Sequence, residues 1–320
     1  MTLDPELLEP LNDFMELMGG GVDLSDIEGT RERSEEIFAA LLAEAPVIEG
    51  VESMDLQVPG PEAAPAVCIR IYRPEQQAKD LPALLWIHGG GYVLGNIDND
   101  DITVRELTRD VGCIVVSVDY RLAPENPYPA ALEDCYAVLK YLFGNHNELQ
   151  IDRTRVAVGG ASAGGGLAAS LALLARDRAE VDIAFQLLIY PMIDDRNVLP
   201  TSEEVPDSLL WTRESNRIGW RSYLGHEPGL DHVSPYAAAF RAEDLNNLPP
   251  AYIPVGSLDL FLQENIQYAQ RLLNADVKTE LHVYPGAYHA FDKFAPMAAI
   301  SQRFVANRNS ILVRELFNTS

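Results

Sequence analysis

Short apolar runs alternate with helical stretches along most of this chain, and that alternation constrains the fold more than any other feature. The runs lie at 84–87, 113–118, 156–158, 183–190, 251–255 and 280–284, with candidate helices at 99–111, 129–147, 164–177 and 263–275 between most of them. Strands that are apolar along nearly their whole length must be covered on both faces. A mainly parallel sheet flanked by helices does this. Ahead of the first run, residues 66–73 alternate apolar and polar side chains as an outer strand does. Residues 1–46 read as amphipathic helical segments broken at Gly19-Gly20-Gly21, with Ile37 and Leu41 on one face of the second. The interruption at 194–248, with scattered charges, Trp211, Trp220 and several prolines, is too long for a plain connection. The expected organisation is N-terminal cap helices over 1–46, an α/β core over 47–193 and 249–320, and a cap insertion over 194–248.

Charge narrows the function classes. The chain has 24 Lys plus Arg against 48 Asp plus Glu, a net charge of −24. Nucleic acids and anionic membranes are bound through basic faces, so neither is an expected partner. The three cysteines, Cys68, Cys113 and Cys135, all lie in apolar stretches, which predicts buried free thiols rather than a disulfide framework. No Cys-x-x-Cys or His-Glu-x-x-His occurs, so no metal centre is expected. The N-terminus has neither the basic nor the apolar region of a signal peptide. One uncharged run, 156–175, has a membrane-spanning length of 20 residues, but it holds five glycines and opens as a strand. A cytoplasmic protein is expected.

The chemistry starts at Gly160-Ala161-Ser162-Ala163-Gly164. This G-x-S-x-G follows a strand and precedes an Ala/Leu-rich helix. A strand entering a helix through so tight a turn forces a strained backbone on the central serine, and small neighbours relieve the crowding. Its hydroxyl then stands free above the sheet. Alone, the pattern also fits an ordinary tight turn. A second loop, His88-Gly89-Gly90-Gly91-Tyr92, directly follows the strand at 84–87. Successive glycines let backbone N–H groups turn toward one point, where they can hold an oxygen that becomes negative. A loop of this kind accompanies the serine elbow in lipases and esterases.

A serine needs a base. His289 sits in a loop just beyond a late strand, in Tyr284-Pro285-Gly286-Ala287-Tyr288-His289. His88 belongs to the glycine loop, where it braces the backbone; His282 lies within a strand; His146, His226 and His232 occupy polar surroundings. Asp259 follows the strand at 251–255 through Gly256-Ser257-Leu258 and is the expected orienting acid. The order Ser162, Asp259, His289, each after its own strand, is the order of α/β-hydrolases.

These segments together resemble the hormone-sensitive-lipase-like carboxylesterases, bacterial esterase family IV. The resemblance runs from about residue 70 to 295. It rests on HGGGY at 88–92, DYRLAPE at 119–125, GASAGG at 160–165, YPMID at 190–194, GSLD at 256–259 and YPGAYHAF at 284–291. It implies an α/β-hydrolase fold with a helical cap. It implies Ser162 as nucleophile, His289 as base and Asp259 as acid, with an oxyanion hole from the N–H groups of Gly90, Gly91 and Ala163. The implied substrates are esters of short to medium acyl chains, hydrolysed through an acyl-enzyme without a cofactor. The resemblance also suggests a homodimer paired through the edge strand 280–284. The sequence departs from the family at Ala161, where Asp is frequent, and at Ala290, where Gly is frequent. Around the acid it reads Asp259-Leu260-Phe261-Leu262-Gln263-Glu264-Asn265, without the usual proline and second aspartate. Glu264 and Asp292 are the alternative acids. Asp119, Arg121 and Glu125 read as scaffold residues; Trp211 and Tyr190 fit either a pocket wall or the core.

Three other readings remain in view. An amidase or peptidase would use the same residues. A non-catalytic hydrolase-fold binding protein typically lacks the histidine, which is present here. Gly164-x-Gly166-x-x-Ala169 fits a loose dinucleotide fingerprint, but Ser162 occupies the turn and no acidic residue ends a second strand at the required distance.

Overall fold

A computed structural model describes residues 2–75, 79–198 and 209–317. Part of the expected cap insertion, 199–208, lies outside the described residues. The strands are β1 (Val51–Val58), β2 (Val67–Pro74), β3 (Leu81–Ile87), β4 (Ile114–Asp119), β5 (Ile151–Ala161), β6 (Phe185–Ile189), β7 (Ala251–Gly256) and β8 (Thr279–Tyr284). They form one sheet in the order β1-β2-β4-β3-β5-β6-β7-β8. β2 runs antiparallel to β1 and to β4, and every later pairing is parallel. The order reverses around β3, as expected where crossovers wind to both sides of a parallel sheet.

The helices are α1 (Leu8–Leu17), α2 (Ile27–Glu44), α3 (Asp101–Val111), α4 (Ala130–Gly144), α5 (Ala163–Arg178), α6 (Arg213–Leu224), α7 (Leu262–Asn274), α8 (Phe291–Phe294) and α9 (Ala299–Phe317). Strands β3, β6 and β7 are buried along their full length. This is why they read as unbroken apolar runs. The uncharged run at 156–175 divides between β5 and α5, and α5 is buried from Ala163 to Ala175. No helix among the described residues is long and apolar enough to cross a membrane.

Two local expectations need correction, and one strand, β1, has no counterpart in the sequence pattern. β1 carries no apolar signal of its own because only its end residues, Val51 and Val58, are buried. α2 does not turn Leu41 inward; Leu41 is exposed and the buried residues are Thr30 and Ser34. Leu7, Leu11, Phe14 and Met18 of the preceding segment are buried members of the core cluster, whereas α2 adds only the partly buried Ile37 to it. Of the three free cysteines, Cys113 and Cys135 are buried but Cys68, on the outer strand β2, is only half-buried.

The N-terminal segment and α6 lie together over the ends of the parallel strands. Arg31 of α2 donates to the Val93 and Ala123 carbonyls at 2.6 Å each and to both carboxylate oxygens of Glu125 at 2.9 Å. Ser215 of α6 donates to the Val22 carbonyl at 2.8 Å. Arg121 clasps the buried Asp134 carboxylate. Glu125 thus ties α2, and Arg121 ties α4, to the loop after β4.

Candidate active site

The turn from β5 to α5 presents Ser162 with φ 58° and ψ −121°, outside the ordinary regions for a residue with a β-carbon. Its backbone is fixed on both sides: its N–H donates to the Ile189 carbonyl at 2.9 Å, and its carbonyl accepts from Met192 N–H at 3.0 Å. Gly164 is needed here because a β-carbon would run into the Ile87 carbonyl of β3. The strain is therefore held by packing between three strands and the helix.

His289 arrives from the loop after β8. Its Nε2 lies 2.9 Å from Ser162 Oγ, and its Nδ1 lies 2.8 Å from Asp259 Oδ2. The carboxylate fixes the proton on Nδ1, leaving the Nε2 lone pair facing the serine hydroxyl. Asp259 is fully buried, and its other oxygen accepts from the Phe261 N–H at 2.9 Å. The rings of Tyr190 and Phe261 stand edge-on to the imidazole, with centroids 4.8 and 5.0 Å away. Sequence reasoning left both Tyr190 and Trp211 between pocket and core; both line the cavity above the serine.

The alternative acids sit elsewhere. Glu264 accepts from the N–H groups of Ile193 at 2.8 Å and Asp194 at 3.3 Å, and from Asn197 Nδ2 at 2.7 Å. It anchors the segment after β6. Asp292 Oδ1 accepts from the Tyr190 hydroxyl at 2.9 Å, one ring removed from His289. Burial pushes both carboxyls above their ordinary value.

In the loop after β3, Gly90 and Gly91 have φ of 117° and 60°. Neither of their N–H groups donates to an acceptor among the described residues. Ala163 opens α5, where a first-turn N–H has no partner within the helix. His88 is buried beneath this loop, stacked on Tyr120, with Nδ1 2.7 Å from the Gly89 carbonyl. Burial lowers its pKa to about 4, so it is neutral at pH 7. His282 is held between Tyr252 and Glu280 on β8. His146, His226 and His232 do not line the cavity.

The cavity measures about 130 Å³ and its wall is largely apolar, with Phe14, Met18, Phe38, Leu94, Trp211 and Phe294 over Ser162 and His289. Phe14 of α1, Met18 just after it and Phe38 of α2 are wall residues that sequence reasoning did not name. It also missed Asp100 and Lys293, which meet in the same wall at 2.7 Å. The nearest signal was the position of Lys293, four residues after His289 in the chain.

Comparison with known proteins agrees with this geometry. Residues 84–293 match the model of a family described as having the alpha/beta hydrolase fold. Esterase LipI of Mycobacterium tuberculosis is 36% identical over 290 residues, covering 90% of this chain and 88% of that protein. Carboxylesterase NlhH of the same organism is 38% identical over 233 residues, 71% of this chain and 72% of its own length. Among solved structures, a bacterial heroin esterase superposes with a TM-score of 0.92 at 41% identity, covering 98% of both chains.

Proposed function

We propose, from the premise that this chain belongs to the alpha/beta hydrolase fold family and within it to the hormone-sensitive-lipase-like carboxylesterases, that Ser162, His289 and Asp259 are its catalytic triad. The protein is a carboxylic ester hydrolase. One observation carries the residue assignment: a strained serine, a histidine and a buried carboxylate form an unbroken hydrogen-bonded line at 2.9 and 2.8 Å.

Ser162 Oγ attacks the ester carbonyl carbon while Nε2 of His289 takes its proton. Negative charge then gathers on the former carbonyl oxygen, and the N–H groups of Gly90, Gly91 and Ala163 receive it. As the C–O bond breaks, His289 returns the proton to the leaving alcohol. Water, activated by the same imidazole, attacks the acyl-serine and releases the acid. Asp259 holds the imidazole in the required tautomer and stabilises the imidazolium. The small apolar cavity suits short to medium acyl chains.

A homodimer through β8 belongs to the same reading. β8 ends the sheet, pairs only with β7 among the described residues, and is mostly half-buried, with Val283 exposed. Its free edge would be satisfied by the same strand of a second copy. Cytoplasmic placement is supported by the three free cysteines.

The test is labelling with a serine-directed fluorophosphonate, alongside turnover of nitrophenyl esters of increasing acyl length. Wild type is expected to label and to favour short and medium chains. Ser162→Ala should lose labelling and about 10⁴-fold or more in kcat with the fold intact. A folded Ser162→Ala protein with near-normal activity would sink the assignment. Light scattering at micromolar concentration checks the dimer, and a monomer would overturn it.

A further inference from the structure

One corner of the otherwise apolar cavity is built from charge. Lys293 Nζ donates to Asp100 Oδ1 at 2.7 Å, and both residues line the cavity. Asp100 Oδ2 accepts from Trp86 Nε1 at 2.9 Å, so each carboxylate oxygen has a partner. Burial works to raise the Asp100 pKa, but the charge and hydrogen bond of Lys293, together with the Trp86 N–H, outweigh it and hold the carboxyl below its ordinary value. The ion pair is therefore formed at neutral pH.

Lys293 has capacity left over. An ammonium carries three donors. Asp100 takes one, and the Phe38 ring lies 4.5 Å from Nζ. The side chain is still 26% exposed. Ser34 and Asn99 line the same cavity. An ion pair set in an apolar wall stabilises a fold no better than well-packed hydrophobic residues. An aliphatic substrate pressed against it would strip water from the ammonium and leave donors unpaired, which is costly.

We propose that this corner is a polar subsite for esters carrying a second, neutral hydrogen-bond acceptor, a ketone or ester carbonyl away from the scissile bond, to which Lys293 Nζ donates. The proposal rests on the carboxylesterase reading and names a substrate class within it. A neutral acceptor is specified because Asp100 already balances the ammonium. A carboxylate would bring an uncompensated negative charge into the wall of a protein with a net charge of −24.

The experiment compares kcat/KM for matched esters, each corrected for its rate of alkaline hydrolysis. On the acyl side the pair is nitrophenyl pentanoate and nitrophenyl 4-oxopentanoate. On the alcohol side it is butyl butanoate and 3-oxobutyl butanoate. Mono-nitrophenyl succinate supplies the anionic arm. Wild type is expected to favour the keto member of one pair by about tenfold or more. Lys293→Met should bring that ratio close to one, and Lys293→Gln, which keeps a neutral donor, should fall between. A merely structural loss would lower both members of a pair and leave the ratio unmoved. The proposal is overturned by a wild-type ratio near one in both pairs, by a ratio that survives both substitutions, or by a preference for the succinate ester. Because wild type alone gives the first ratio, the result does not depend on either variant folding. Wild type that turns over none of these esters overturns the carboxylesterase reading itself, a separate outcome.

Discussion

The ring of Trp211 lies so close to Gly91 that a β-carbon on Gly91 would overlap it. Gly91 also has φ of 60°, which a residue with a side chain adopts at a cost. Trp211 and the glycine loop are thus packed as one unit, and the loop backbone keeps its course only while Gly91 stays glycine. Gly91→Ala is expected to lower kcat by about 10²–10³-fold, the loss typical of a displaced oxyanion donor. Fluorophosphonate labelling should slow in parallel. Near-normal kcat in a folded Gly91→Ala protein would show that this N–H takes no part.

The acid can be assigned by contrast among three carboxylates, two of them, Asp259 and Glu264, buried and the third, Asp292, half-buried. Asp259 alone of the three contacts His289. Asp259→Asn should cost up to about 10⁴-fold in kcat by mis-setting the imidazole tautomer. Asp292 hydrogen-bonds to the Tyr190 hydroxyl and not to His289, so Asp292→Asn should cost far less. Glu264→Gln should act on stability, since Glu264 accepts three hydrogen bonds in the segment after β6. Steady-state kinetics and urea unfolding on all three variants separate these roles. A nearly wild-type Asp259→Asn beside a dead Asp292→Asn would reverse the assignment.

What the sequence made legible follows from which signals are local. Fully buried strands such as β3 and β7 are apolar throughout, so their positions were readable from composition alone. β1 was not, because a strand that buries only Val51 and Val58 looks like any polar segment. The serine elbow and the glycine loop were readable because the backbone geometry there demands small residues at fixed spacing. The Asp100–Lys293 pair was not, since it joins residues 193 positions apart and neither lies in a motif. Phe14 and Phe38 likewise reach the cavity only through the placement of α1 and α2, which nothing in their own periodicity reveals.

His88 makes folding stability pH-dependent in a stated direction. Burial lowers its pKa to about 4, whereas the unfolded chain takes up this proton near the ordinary 6.5. Above 6.5 the imidazole is neutral in both states. As pH falls below 6.5 the unfolded state binds the proton first, so stability is lost, by about 2 kcal/mol between pH 7 and pH 5. Glu264 and Asp292, whose pKa values are raised, work the other way and gain stability as pH falls. The His88 contribution is therefore read as a difference. His88→Asn places an amide N–H near the position of Nδ1 and removes the titration. Its stability loss from pH 7 to pH 5, measured by urea unfolding, should be smaller than that of wild type. Equal losses would mean that His88 does not remain neutral in the fold.

Salt tests the balance between net repulsion and local pairing. The net charge of −24 makes the surface repel itself at pH 8, and at 1 M ionic strength charges are screened beyond about 3 Å. Against this stand exposed ion pairs such as Arg217 with Glu214 and Lys278 with Glu315, whose attraction salt also weakens. Exposed pairs contribute little individually, whereas the excess negative charge acts over the whole surface. The partly buried pairs, Arg241 with Asp195 and Lys293 with Asp100, are shielded from the ions. Tm at pH 8 is therefore expected to stay level or rise between low salt and 1 M NaCl, with little change in turnover of an uncharged ester. A clearly lower Tm in salt would mean that the surface pairs outweigh the net repulsion.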